Sequence, residues 1–150
     1  MTRVDFYLIE DAADRGKDIA VCRLAHKAFL LGHRIYILTE TDEDARRLDR
    51  LMWTFSAGSF IPHATSTENG DADHPVLIGH DEPPAAHEDV LIQLAPKVPE
   101  YFSRFQRVAE VVDDNEDGKA LARERFRFYR DRGYTLQTHQ LSLDYRGDGP

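Results

Sequence analysis

The residues best suited by type and spacing to recognise a ligand lie in one run, Lys119 to Arg132 (KALARERFRFYRDR), which carries six basic and two acidic side chains. That positive excess sits in a chain whose formal net charge is −8. Turned at about 100° per residue, Lys119, Arg123, Arg127 and Arg130 gather on one side of a helix. Phe126 borders them, and Leu121 and Phe128 lie roughly opposite. Such a stripe admits three readings. One is an ordinary solvated face with partial i, i+4 pairing, such as Arg127 to Asp131. Another is a docking site, in which guanidinium forks and an ammonium beside an aromatic receive an acidic peptide with an apolar side chain, or a terminal carboxylate. Nucleic acid is the third, disfavoured because an acidic chain repels the phosphate backbone.

A second constellation is aromatic: Trp53, Phe55, Phe60, Ile61 and Pro62, at the end of a helical pattern and in the irregular segment after it. Aromatics on irregular backbone serve protein interfaces as anchors, and they serve cores equally well. Periodicity does not separate the two.

Residues that would carry catalysis or hold a cofactor are missing from their usual arrangements. The turn after the first strand, EDAADRGK, has neither a G-x-G-x-x-G fingerprint nor a G-x-x-x-x-G-K-[ST] loop, and its acids would repel a pyrophosphate. None of the seven histidines forms an H-x-x-x-H pair, and no cysteine pair completes a zinc site. His74, His80 and His87 read as solvated loop residues, and His26 and His33 as structural. The single cysteine, Cys22, sits in an apolar helical pattern and reads as a buried thiol. No G-x-S-x-G motif appears. The acids occupy surface-like positions, so no carboxylate pair stands out for acid/base work. The expectation is a non-catalytic protein without cofactor or metal.

The elements that position the two constellations are legible. VDFYLIE at 4–10 and RIYILT at 34–39 read as strands. DIAVCRLAHKAFLL at 18–31 reads as a helix with Asp18 as N-cap and Gly32 as its stop. TDEDARRLDRLMW follows, with Thr41 and Asp44 spaced as a capping box. PVLIGH (75–80), DVLIQLA (89–95) and RVAEVVD (107–113) are further strand candidates. Residues 99–106 suggest a short helix, 116–132 a final helix and 134–141 an extended segment. ATSTENGDADHP marks an exposed loop. Strand and helix alternate, which implies right-handed βαβ crossovers. The expected fold is therefore α/β, a single-domain three-layer sandwich with a mainly parallel sheet and Rossmann-like topology, but without a nucleotide-binding loop.

At 150 residues, 41% hydrophobic and 31% charged, the chain reads as one soluble domain, with residues 142–150 as a flexible tail. It contains no apolar run of the roughly 20 residues that span a bilayer. Its N-terminus lacks a secretory cleavage pattern, so a cytoplasmic location is expected.

FYLIE, RIYIL, RLDRLMWTF followed by SFIPH, DVLIQL, and above all ALARERFRFYRDRGYTL resemble the chi subunit family of bacterial DNA polymerase III, over about residues 3–141. The resemblance implies a bridge between two partners. One is the psi subunit, which tethers chi to the clamp loader. The other is the acidic, Phe-ended C-terminal tail of single-stranded-DNA-binding protein, so that DNA is met only indirectly. Carried over by motif, the tail site would use Lys119, Arg123, Phe126 and Arg127, with Gly133 closing the helix nearby. Phe126 stands where some family members have tyrosine, and Arg127 replaces lysine. The chain is shorter than some relatives just before this helix, which leaves an apolar pocket residue within 111–118 unassigned. The psi-facing surface would involve Trp53, Phe60, Pro62 and His63, and a repair helicase could stand in for psi there.

Overall fold

A computed structural model of the chain describes residues 1–10, 16–54, 61–66 and 74–142. Its elements run β1 (Arg3–Glu10), α1 (Gly16–Leu30), β2 (Ile35–Leu38), α2 (Asp42–Met52), β3 (His63–Thr65), β4 (Val76–Gly79), β5 (Val90–Gln93), β6 (Arg107–Val112), α3 (Glu116–Asp131) and β7 (Thr135–Ser142). A 3-10 turn at Phe102–Arg104 is all that forms of the helix expected at 99–106.

The seven strands make one sheet in the order β3-β4-β2-β5-β6-β1-β7. Every pairing is parallel, so the sheet is wholly rather than mainly parallel among the described residues. Strands β2, β4 and β5 are short runs, Ile35–Leu38, Val76–Gly79 and Val90–Gln93, buried throughout and apolar but for Gln93. That is how strands covered on both faces read. Period-2 alternation then sorts β1. Tyr7 and Ile9 join the core under α1 and α2, whereas Val4 and Phe6 join the core under α3. Helices thus cover both faces, and the layers number three.

Local signals explain most boundaries. Thr41 caps α2 by accepting from the Asp44 N–H at 3.1 Å. Gly32, at φ +89°, ends the α1 region in the left-handed conformation that glycine tolerates. Cys22 is buried, as its pattern predicts.

Several expectations require correction. α1 begins at Gly16, so Asp18 lies in its first turn and is not the N-cap. The short edge strand β3 falls where the pattern had loosened into loop, and it buries His63, Ala64 and Thr65. His87 is fully buried, with Nε2 2.8 Å from the His74 carbonyl, and burial pushes its imidazole below the usual range. Two acids, Asp5 and Glu110, lie in the core and not at the surface. Phe55 and Phe60, most of the turn after β1, and the tail from 143 onward lie outside the described residues.

Among the described residues no helix is long and apolar enough to cross a membrane, and no group of three or more His, Cys, Asp or Glu side chains is placed to hold a metal ion.

Candidate functional site

α3 is fixed at both ends by its own sequence. Asn115 is the N-cap, and its side chain accepts from the Gly118 N–H at 2.7 Å. Glu116 and Asp117 in the first turn favour the positive end of the helix dipole. At the other end, the Gly133 N–H donates to the Arg130 carbonyl (2.9 Å) and the Tyr134 N–H to that of Tyr129 (3.1 Å). With Gly133 at φ +82° this is a Schellman closure.

Rotation of the helix about its axis is set by a polar network. Glu110 on β6, fully buried, accepts from Arg125 Nε (2.8 Å), from the Tyr129 hydroxyl (2.7 Å) and from Gln93 Nε2 (3.3 Å). Burial pushes the Glu110 carboxyl up, against the pull of Arg125 and the donated hydrogen bonds. Burial and the neighbouring carboxylate push the Tyr129 phenol far up as well. The inward face of α3 is therefore Ala122, Arg125 and Tyr129, while Leu121, on the other side of the helix from the basic stripe, is 43% exposed. One of the six basic residues of the run is thus a core residue.

With the helix so turned, Lys119, Arg123 and Phe126, spaced i, i+4 and i+7, point along the flank that faces β1 and β7. They line an open hollow of about 220 Å³ together with Phe6, Leu8 and Val112. Ala122 and Thr138 complete its wall. Phe126 packs on Phe6 with centroids 5.3 Å apart at 57°. Arg123 is exposed, and Lys119 is half-exposed with Nζ 3.1 Å from Asp114 Oδ1. Two cations over an apolar floor can bind a carboxylate and an apolar side chain at once.

Not every nominated residue joins them. Arg127 is exposed on α3 but does not line the hollow, and Gly133 contributes a helix stop and no contact surface. Asp131 pairs with the adjacent Arg130, at 3.1 Å. None of the residues nominated from the sequence forms the floor. Phe6, Leu8 and Val112 supply it, the last within the stretch 111–118 that had been left open. Their signal was the strand period, which sends Phe6 and Leu8 to the same face.

The aromatic constellation forms a separate surface. Trp53, which caps the C-terminus of α2, is 55% exposed and rests against His63, with centroids 4.6 Å apart. The His63 ring is buried, with Nδ1 2.6 Å from the Ile61 carbonyl and Nε2 3.2 Å from that of Asp49. It supports Trp53 from below. Pro62 is half-buried beside it, and Phe60 lies outside the described residues.

Comparison with known proteins shows the family. A family model described as DNA polymerase III chi subunit, HolC, matches residues 1–137. The DNA polymerase III subunit chi of Pseudomonas aeruginosa is 42% identical over 141 residues, covering 94% of this chain and 98% of that protein. The Escherichia coli protein of the same description is 32% identical over 143 residues, covering 92% and 97%. Among solved structures, that of T4 UvsW superposes with a TM-score of 0.63 at 8% identity over 95% of this chain and 42% of that one, a likeness of fold alone. With the family model spanning nearly its whole length, the chain belongs to the DNA polymerase III chi subunit family.

Proposed function

We propose that the protein is a non-catalytic accessory subunit of a bacterial replicative polymerase, working in the cytoplasm as a bridge. On one side it takes the acidic, Phe-ended C-terminal tail of single-stranded-DNA-binding protein, and on the other a psi-type subunit leading to the clamp loader. The observation that carries this reading is the convergence of Lys119, Arg123 and Phe126 on one hollow with an apolar floor. Arg123 and Lys119 receive the tail's carboxylates, and its terminal ring packs between Phe126, Phe6 and Val112. Arg127 adds a charge near the approach, and Gly133 ends the helix so that β7 can return beside β1.

The exposed Trp53, held by His63, serves together with Pro62 and Phe60 to bind the psi-type subunit or a repair helicase in its place. Charge pairs at the tail site are solvent-exposed and screened over about 8 Å at physiological ionic strength. Binding of one tail is therefore weak and salt-sensitive, and several tails on one oligomeric partner supply avidity.

Fluorescence anisotropy with an acidic peptide ending in Ile-Pro-Phe tests the tail site. Salt-sensitive binding to the wild type, lost in Arg123→Ala, is the expected result. A wild type that ignores the peptide at all salt concentrations sinks the mechanism. Bare oligonucleotide should give little gel shift until single-stranded-DNA-binding protein is added.

A further inference from the structure

β1 presents its two faces to two hollows. Phe6 and Leu8 floor the one beside α3. Tyr7, between them, points the other way and lines a second hollow of about 250 Å³ under α1. Leu24, Ala28 and Leu31 of the α1 region, Ile92 of β5 and Leu141 of β7 make it apolar. The described residues that line it include the cations Arg23, Lys27 and Arg107 and no acid, in a chain with 27 acidic and 19 basic residues. Charge in this hollow thus runs against the composition of the whole.

Arg107 is held in place. Its Nε donates to Asp5 Oδ2 at 2.8 Å and its Nη2 to the Tyr7 hydroxyl at 2.7 Å. The Asp5 carboxylate, itself fully buried, also meets Arg3 Nε at 3.4 Å and accepts from His139 Nε2 at 2.9 Å. The His139 ring stacks on Tyr7 at 4.8 Å. One carboxylate facing two guanidinium groups leaves positive charge over, fixed on a rigid strand. Lys27, exposed in the last turn of α1, offsets the negative end of the helix dipole and adds a further cation to the wall of the hollow. Beside the hollow, Leu30 and Leu31 are 68% and 67% exposed. Leu31 lines the hollow, so its exposed side chain carries the apolar surface out to solvent.

We infer that this hollow is a second protein-docking site, which receives an acidic peptide segment of a partner. One large apolar side chain of that segment enters between Leu24, Leu31 and Leu141, and its carboxylates meet Arg107 and Lys27. The site lies on the opposite face of the sheet from the hollow beside α3, so both can be filled together, and it does not depend on what fills the other.

The test is a nitrogen-15 amide titration of the full chain with acetyl-Glu-Glu-Leu-Phe-Glu-Glu-amide, a probe without a terminal carboxylate. Salt-sensitive shifts at 24–31 and 107–109 are expected, unchanged in Arg123→Ala. Lys27→Glu and Leu31→Ser, both at exposed positions, should each weaken binding about ten-fold. No shift at millimolar peptide, or shifts confined to 119–127, overturns the inference. Self-association of the wild type that Leu31→Ser abolishes would assign the face to a second copy, and tighter binding of an oligo-dT at the same amides would assign it to nucleic acid. Either outcome also overturns it.

Discussion

The inner and outer faces of α3 use the same kind of side chain for opposite purposes. Arg125 points inward, where its guanidinium is consumed by Glu110 at 2.8 Å and by the Pro96 carbonyl at 3.2 Å. Arg123, two residues earlier, points outward beside an apolar hollow. A charge count along the helix treats them alike, yet one sets the helix rotation and the other is left exposed at the rim of the hollow. The buried network is therefore the positioning device for the site, because turning α3 would carry Lys119, Arg123 and Phe126 off the Phe6–Val112 floor.

The sharpest way to break this comparison is Glu110→Ala. It leaves Arg125 buried without its carboxylate and should destabilise the fold by about 3–5 kcal/mol, read from urea unfolding. Replacing both partners, as in Glu110→Leu with Arg125→Leu, should cost less than the sum of the single changes. An additive result would mean that the pair does not couple.

Next comes Asp5, the other buried carboxyl. Burial would raise it, but the hydrogen bonds from His139 and Arg107 and the charges of Arg107 and Arg3 outweigh that and hold it below the ordinary 3.8. Its contribution is present above the unfolded value and is lost as pH falls through the lower, folded one. Asp5→Asn should cost about 1.5–3 kcal/mol at neutral pH and flatten the acid limb of the stability curve. Glu110 has the opposite sign. Raised by burial, its carboxyl favours the fold most fully below the ordinary 4.5, and that advantage is lost as pH rises through the folded value. Glu110→Gln should remove this dependence.

On the outer face, Arg123→Ala should leave unfolding within about 0.5 kcal/mol of wild type while weakening the tail peptide about ten-fold or more. A stability loss as large as that of Glu110→Ala would erase the distinction between the two faces. Smaller still is Gly133→Ala. Its φ of +82° makes any side chain strained, which should cost about 1 kcal/mol, with peptide affinity little changed if the residue is a helix stop.

Much of the fold was legible because local signals agree with the tertiary outcome. Apolar runs marked β2, β4 and β5, Thr41 and Gly32 marked helix ends, and the strand–helix alternation implied the parallel sheet. β3 was not legible, since His63, Ala64 and Thr65 have no strand-like pattern and are ordered by pairing with β4 at the sheet edge. Of the hollow beside α3, the gathering of Lys119, Arg123 and Phe126 on one flank was readable from helical spacing. The floor was not, because Phe6 and Val112 are more than a hundred positions apart and meet only through the β1–β6 pairing.

By itself the sequence determined which residue types were available, their helical or strand period, the absence of recognised nucleotide-loop and nucleophile motifs, and the reversal of charge at Lys119–Arg132. Tertiary structure alone decided which of those charges are spent in the core. Whether Arg125, Asp5, Glu110 and His87 are buried depends on partners remote in the chain, and burying a polar group is affordable only where such partners meet it.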